Sequence, residues 1–464
     1  MDRYTGMTPD QAIEKAAASF GAGRLDEARA LCESVLASEP RHFLALHLAG
    51  AIALAIGDLE RCVALATRAL EIDPVHVDVL CNRGAALRRL NQVDAALADY
   101  DRALAAAPNH AGAHLNRGVA LAAQNRHAEA IASYDRALQL DPRSAPARFH
   151  RGLSRLLTGD FERGWEDYEG RWGSGTQGAP PAGTQPVWSG REDIRGKTVL
   201  VQAEQGLGDT IQFSRYAALL RARGARVILE AQPVLRDLLA QSPDIERVVA
   251  PGETLPAVDF RCPLLSLPRA FATRLESIPA QIPALEAPAD HIRRWTAALP
   301  QRSKVRVGLA WSGRPTLVND RNRTIALARL APLREVDATF VTLQQEIREA
   351  DRPALASGAP LLDFGAHLTD FRDTAALVAL VDLVITVDTA AAHLAGAMGR
   401  PVWLLLPFSP DWRWLLERET SPWYPTMRIF RQPRIGDWDS VIRRVARELL
   451  ELGPGPSPRL RRPG

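Results

Sequence analysis

Four prolines, Pro40, Pro74, Pro108 and Pro142, stand 34 residues apart, and a chain that repeats itself at that interval is committed to a stack of helix hairpins. The same step links the small residues Ala16, Gly50, Gly84, Gly118 and Gly152. It also links Ala28, Cys62, Ala96, Ala130 and Gly164, then Ala69, Ala103 and Ala137, then Tyr100, Tyr134 and Tyr168. Two helices pack closely only where small side chains sit at their crossing. The aromatic fills the groove beside that crossing, and the proline stops the second helix before the next begins. The phase places repeat starts near Pro9, Phe43, Val77, Ala111 and Ala145.

That pattern is the tetratricopeptide repeat, whose stacked hairpins form a superhelix with an inner face suited to an extended polypeptide. Asn82 and Asn116 occupy equivalent places on the first helices of their repeats, with His150 at that place in the next. Asparagine donates to and accepts from a peptide backbone of any sequence, so these three are the candidate peptide-binding residues. Solvated surface residues are the plain alternative. The arrangement resembles the asparagine ladder of the O-linked N-acetylglucosamine transferases. The last unit departs from the rest, running Gly164-Trp-Glu-Asp-Tyr-Glu-Gly-Arg-Trp172 where a proline is due. A terminal capping helix accounts for it, or tryptophans that dock the array onto the next domain.

From about residue 196 the periodicity changes. Short apolar strands are expected at 198–202, 226–231, 247–250 and 258–261, with helices at 210–222 and 234–241. The pattern restarts after Pro300, with strands at 305–311, 339–343, 383–387 and 402–406 and helices at 374–380 and 390–398. Two such runs imply two Rossmann-like lobes, and ligands of such lobes collect where strand ends meet helix N-termini. The expected fold is therefore α + α/β: an α-solenoid over 1–172 with a capping helix, a Gly/Pro-rich linker at 173–186, lobes over 187–300 and 301–452, and a disordered tail at 453–464.

Two strand-to-helix junctions carry the chemistry. In the first, Gln202-Ala-Glu-Gln-Gly-Leu-Gly-Asp209, Gly206 and Gly208 allow tight turns and Asp209 starts the next helix. Asp209 has a plain alternative as a helix cap. Ile211 stands where a dinucleotide fingerprint needs a small residue, which argues against a nicotinamide site. In the second junction an apolar strand runs into Asp388-Thr389, three alanines and His393. Free N–H groups after Thr389 would seat a diphosphate. Asp388 as N-cap and His393 as a hydrogen-bonded core residue remain open alternatives.

Through these motifs, residues 197–450 resemble glycosyltransferase family 9, the ADP-heptose:lipopolysaccharide heptosyltransferases, and more closely the bacterial proteins that join tetratricopeptide repeats to such a domain. The resemblance implies a GT-B pair of lobes. It implies an acceptor-side turn at Glu204, Gln205, Gly206 and Gly208, with Asp209 as catalytic base. It makes Asp388, Thr389, Ala390 and His393 donor-side residues, joined by Trp311 and Ser312 and by Arg321 or Arg323 in place of the family's phosphate-binding lysine. Ala390 departs from the family's glycine at the phosphate contact. The stretches Pro410-Asp-Trp-Arg-Trp414 and Ser421-Pro-Trp-Tyr-Pro425 look typical of the repeat-fused group, with interlobe packing or sugar stacking as alternative roles for their tryptophans.

The expected activity is a metal-independent inverting transfer of a hexosyl- or heptosyl-type sugar. The donor is a nucleotide-sugar, which is a substrate and not a cofactor, and the acceptor is a protein held by the repeats. By analogy with repeat-fused transferases that acceptor is a flagellin or other surface protein. A different class of reading is a non-catalytic repeat scaffold carrying a degenerate transferase-like domain. No His/Cys cluster has metal-ligand spacing. With 57 Lys and Arg against 54 Asp and Glu, the net charge of +3 gives no pull toward nucleic acid or anionic membrane. Asp2, Arg3, Asp10, Glu14, Lys15 and Arg24 leave no room for a signal-peptide core, and Asp382, Asp388 and His393 interrupt the most apolar window. Cys32, Cys62, Cys81 and Cys262 form no CxxC pair, so a soluble cytoplasmic protein with reduced thiols is expected.

Overall fold

The computed structural model describes residues 7–175, 178–181, 183–282, 284–315, 319–356 and 361–452. The chain divides into two compact units, Met1–Ser154 and Arg155–Gly464.

The first unit is a helical solenoid. Its helices are α1 (Pro9–Gly21), α2 (Leu25–Ser38), α3 (Phe43–Ile56), α4 (Leu59–Leu70), α5 (Val77–Arg89), α6 (Val93–Ala106), α7 (Ala111–Ala123), α8 (His127–Leu140) and the start of α9 (Ala145–Leu157). The crossings explain the small residues. A Cβ on Gly84 would lie 2.7 Å from the Tyr100 ring, and one on Gly118 would lie 2.5 Å from Tyr134. Ala66 takes the tyrosine's place opposite Gly50, where an added Cβ would meet nothing closer than 3.8 Å. Two hairpins are tied to the turn before them by the same bond: Arg68 donates to the Pro40 carbonyl and Arg102 to that of Pro74. A second 34-residue series emerges at the helix starts. His42, His76 and His110 each accept, through Nδ1, the N–H of the third residue of α3, α5 and α7. Histidine is not among the usual N-cap residues, so only the interval itself could have flagged these three.

The second unit opens with α10 (Phe161–Tyr168) and a 3-10 turn at Glu169–Gly173. Its first sheet has strands β1 (Thr198–Gln202), β2 (Arg226–Glu230), β3 (Arg247–Val249) and β4 (Phe260–Pro263), all parallel in the order β3-β2-β1-β4. Helices α11 (Leu207–Phe213), α12 (Tyr216–Ala222), α13 (Arg236–Leu239) and α14 (Leu267–Ala270) accompany it, whereas α15 (Ala289–Ala298) packs on the helix at Phe371–Leu380 beside the second sheet, with the Trp295 N–H on Asp373. The second sheet holds β5 (Val305–Ala310), β6 (Ala338–Thr342), β7 (Leu361–Leu362), β8 (Leu383–Val387), β9 (Val402–Leu406) and β10 (Met427–Arg431), parallel in the order β10-β9-β8-β5-β6-β7. Around it lie α16 (Asp320–Arg323), α17 (Arg352–Ala356), α18 (Phe371–Leu380), α19 (Ala390–Ala397) and α20 (Trp438–Glu451). Trp438, Val441, Ile442 and Val445 of α20 pack into the same core as β5, β8 and β9. The architecture is a tetratricopeptide solenoid followed by an α/β region with two parallel sheets, as in a GT-B fold.

Several expectations change. The helix expected at 210–222 is two, broken at Ser214–Arg215 and starting earlier, at Leu207. Strands β7 and β10 add an edge on either side of the second sheet. The sequence ends the array at residue 172, whereas the compact division falls inside α9, because α10 and the turn after it are packed into the second unit. The Trp165 indole N–H donates to the Thr273 carbonyl at 2.9 Å, and Phe161 stacks on Trp423. Part of the expected linker is fastened as well: Arg261 donates to the carbonyls of Pro181 and Gln185, and Val187 bridges to Arg261. The tail at 453–464 lies outside the described residues.

Candidate active site

The acceptor-side turn is built where β1 ends. Gly206 is the N-cap of α11, and its N–H donates to Asp209 Oδ2 at 2.8 Å, so the carboxylate folds back onto its own turn. The other oxygen accepts from Arg413. Upstream, Glu204 is buried with its Oε1 accepting from Arg171 at 3.0 Å and from the Leu265 N–H at 3.2 Å. Burial pushes the Glu204 carboxyl up to about 7, against the opposing pull of Arg171. Gln205 pairs with the Tyr168 hydroxyl, and its carbonyl accepts from Gln232.

The second junction lies directly against the first. A Cβ on Gly208 would come within 2.7 Å of the His393 ring, so the absence of a side chain there is what lets α11 and α19 meet. Asp388 does not cap α19; Thr389 holds that position, and its side chain makes no capping bond. Thr389 instead pairs with Thr386 at 3.0 Å. The first N–H groups of α19 are therefore not closed by their own cap, the arrangement that favours an anion. Ala390 is not among the residues with positive φ, so the backbone there accepts alanine without strain.

Asp388 accepts from the Trp414 indole at 2.9 Å and lies 3.7 Å from His393 Nε2, while its carbonyl accepts from Arg323 at 2.9 Å. Burial pushes the Asp388 carboxyl up, but His393, Trp414 and Arg323 more than offset it and hold it below the ordinary carboxylate range. His393 is buried, bonded through Nδ1 to the Tyr424 hydroxyl at 2.9 Å and stacked on Trp414.

Other expected donor residues separate. Arg323 lies beneath the loop after β5, where a Cβ on Gly313 would run into its guanidinium, while Arg321 is exposed. The Trp311 ring is in the core of the second lobe with its N–H on Asp351 at 2.9 Å. Ser312 is held by the Gln344 amide through both its N–H and its hydroxyl. Arg348, not foreseen, fixes the same loop through the Gly313 carbonyl and Asp320.

The segment 411–414 bridges both junctions, and it does so through Arg413 as well as through its tryptophans. Arg413 is buried and donates to Asp209, to Gln212 Oε1 at 2.7 Å and to Asp411 at 2.9 Å. Burial disfavours its charge, yet Asp411 and Asp209 outweigh that and raise its pKa. Trp412 sits in ring contact with Trp165, Tyr168, Phe213 and Trp423. The aromatic run was legible, but nothing in sequence ties Arg413 to Asp209.

Within the first unit, Asn82 and Asn116 are half-buried, whereas His150 stacks on Tyr134 with burial lowering its pKa to about 4. As a neutral ring in an aromatic stack it is not equivalent to the two amides. All four cysteines are buried and free. Among the described residues, no group of three or more His, Cys, Asp and Glu is placed to hold a metal, and no helix is long and apolar enough to cross a membrane.

Comparison with known proteins adds to this geometry. Residues 14–76 and 81–145 match the tetratricopeptide-repeat family, and residues 366–410 match glycosyltransferase family 9 (heptosyltransferase). The second match covers α18 to β9, hence Asp388, Thr389, Ala390 and His393, and not the Asp209 turn. The chain is 28% identical over 324 residues to Protein FlbA of Caulobacter vibrioides, an alignment that takes in 64% of this chain and 54% of that protein. The chain thus spans about half the length of the curated relative it matches. Among solved structures it is similar to the tetratricopeptide-repeat protein TTC0263 of Thermus thermophilus (20% identity, 35% of this chain and 89% of that one, TM-score 0.32). It is also similar to MamA of Desulfovibrio magneticus RS-1 (22% identity, 36% and 94%, TM-score 0.33). The chain therefore joins stretches that match the tetratricopeptide repeat to a second unit in which one segment, residues 366–410, is similar to glycosyltransferase family 9.

Proposed function

We propose that the second unit transfers a sugar from a nucleotide-sugar to an acceptor hydroxyl with inversion, and that the repeats hold a protein acceptor. The observation that carries this reading is the contact of the two junctions, Gly208 lying against His393, so that Asp209 and the open start of α19 share one interlobe junction. In the proposed step, Asp209 takes the proton of the acceptor hydroxyl as its oxygen bonds to the anomeric carbon. The bond from that carbon to the diphosphate breaks, and the diphosphate leaves with the electron pair. The N–H groups at the start of α19 meet its growing charge, with the Arg323 guanidinium behind the same turn. Each Asp209 oxygen accepts one hydrogen bond and keeps a second lone pair for the proton.

The test is turnover of nucleotide-sugars by the full-length protein and by Asp209→Asn. Transfer lost with donor binding retained supports the base; unchanged transfer removes it. Because residues 165–171 belong to the second unit, the acceptor role of the repeats is tested with Asn82→Ala and Asn116→Ala together and not with a truncation at 172. A raised acceptor KM with unchanged donor hydrolysis is expected. The pairing of Asp209 with Arg413 favours a second reading, a non-catalytic scaffold, and the same assay separates the two: that reading holds if no donor is turned over.

A further inference from the structure

The loop that aims Asp209 is gripped from outside the lobes. Tyr168 ends α10, and Arg171 sits in the 3-10 turn after it; both belong in sequence to the fifth repeat. Arg171 has a fully buried side chain and donates to Glu204 Oε1, to Ser266 Oγ at 2.7 Å and to Glu169 at 2.7 Å, with its guanidinium stacked 4.2 Å over Trp172. The Tyr168 hydroxyl meets Gln205 at 3.1 Å, and its ring packs on Trp412, the neighbour of Arg413. Glu204 and Gln205 are the two residues before Gly206, whose N–H orients one Asp209 oxygen, while Arg413 holds the other. One hairpin therefore reaches both supports of the carboxylate.

We infer that Tyr168 and Arg171 are positioning residues for Asp209, so that α10 and the turn after it, the end of the fifth repeat in sequence, are a working part of the transfer site. The inference rests on the reading of Asp209 as the base. Burying an arginine is expensive, and an apolar side chain packed there would serve stability equally well. What the charge adds is direction: one arm of its fork holds Glu169 while the other holds Ser266 and Glu204, and with Glu204 the path of the chain into the turn. Misplacing a reacting group by a fraction of an ångström to an ångström slows chemistry by about ten- to a hundredfold.

The experiment uses full-length Tyr168→Phe, which removes one hydroxyl, and Arg171→Lys, which keeps the charge and loses the fork. Two readouts are taken: kcat with donor and acceptor KM, and amide hydrogen exchange over residues 204–209. The expected result is kcat lowered by about ten- to a hundredfold with both KM values little changed, and faster exchange at the Gly206 amide, at an unchanged melting temperature for Tyr168→Phe. Wild-type kcat together with wild-type exchange in Tyr168→Phe overturns the inference. Should Asp209→Asn keep full transfer while Tyr168→Phe still frees the Gly206 amide, the hairpin positions the turn and the assignment of the base is what has failed.

Discussion

Arg413 donates a hydrogen bond to Asp209 across 204 residues of sequence, and the next residue, Trp414, donates to Asp388. Two consecutive side chains thus hold the two aspartates that belong to different lobes. Arg413→Met leaves Asp209 and Asp411 without their shared cation, and because both carboxylates are partly exposed to water the cost should fall below that of breaking a fully buried pair, about 3–5 kcal/mol. The melting temperature of the second unit should fall markedly, and Arg413→Lys should recover stability better than activity. Equal recovery of both would detach the fork geometry from the chemistry.

Gly208→Ala tests the lobe contact. The new Cβ would lie 2.7 Å from His393, and overpacking of this kind costs about 1–3 kcal/mol. Transfer should be lost with the far-ultraviolet circular dichroism unchanged. Retained activity means that α11 and α19 can part without consequence.

In the repeats, two equivalent glycines should respond with opposite sign. Gly118→Ala drives a methyl to 2.5 Å from the Tyr134 ring and should destabilise the array by about 1–3 kcal/mol. Gly50→Ala finds its nearest neighbours at 3.8 Å and should stabilise it by about 0.5–1 kcal/mol through helix propensity. Chemical denaturation of both variants checks the pair.

Glu204 gives a pH dependence. Its carboxyl sits at about 7 against an ordinary 4.5, because burial outweighs Arg171. Folding therefore takes up a proton between those values, so the contribution is most favourable below about pH 4.5, declines as pH rises to about 7 and is flat beyond. The decline is bounded by about 3 kcal/mol. Glu204→Gln should remove that slope; stability curves of equal slope from pH 5 to 7 in both proteins would contradict it.

By itself the sequence determined most of what depends on local periodicity, the edge strands β7 and β10 and the break at Ser214–Arg215 apart. The prolines set the repeat phase, since each must end a helix; the small residues set the crossings; and alternating strand and helix patterns set the two sheets. It also marked Gly206, Gly208 and Asp209, because a tight turn before a helix needs those residue types. Only tertiary structure decided the rest. Trp311 looked available at a strand end until Asp351 claimed its N–H inside the core. Tyr168 and Arg171 carry the repeat's signature and yet belong to the second unit, and Arg413 meets Asp209 from far along the chain. Hydrogen bonds between distant residues leave no period to read: their partners are chosen by where the chain returns once apolar faces are buried, and that choice is made by the whole fold at once.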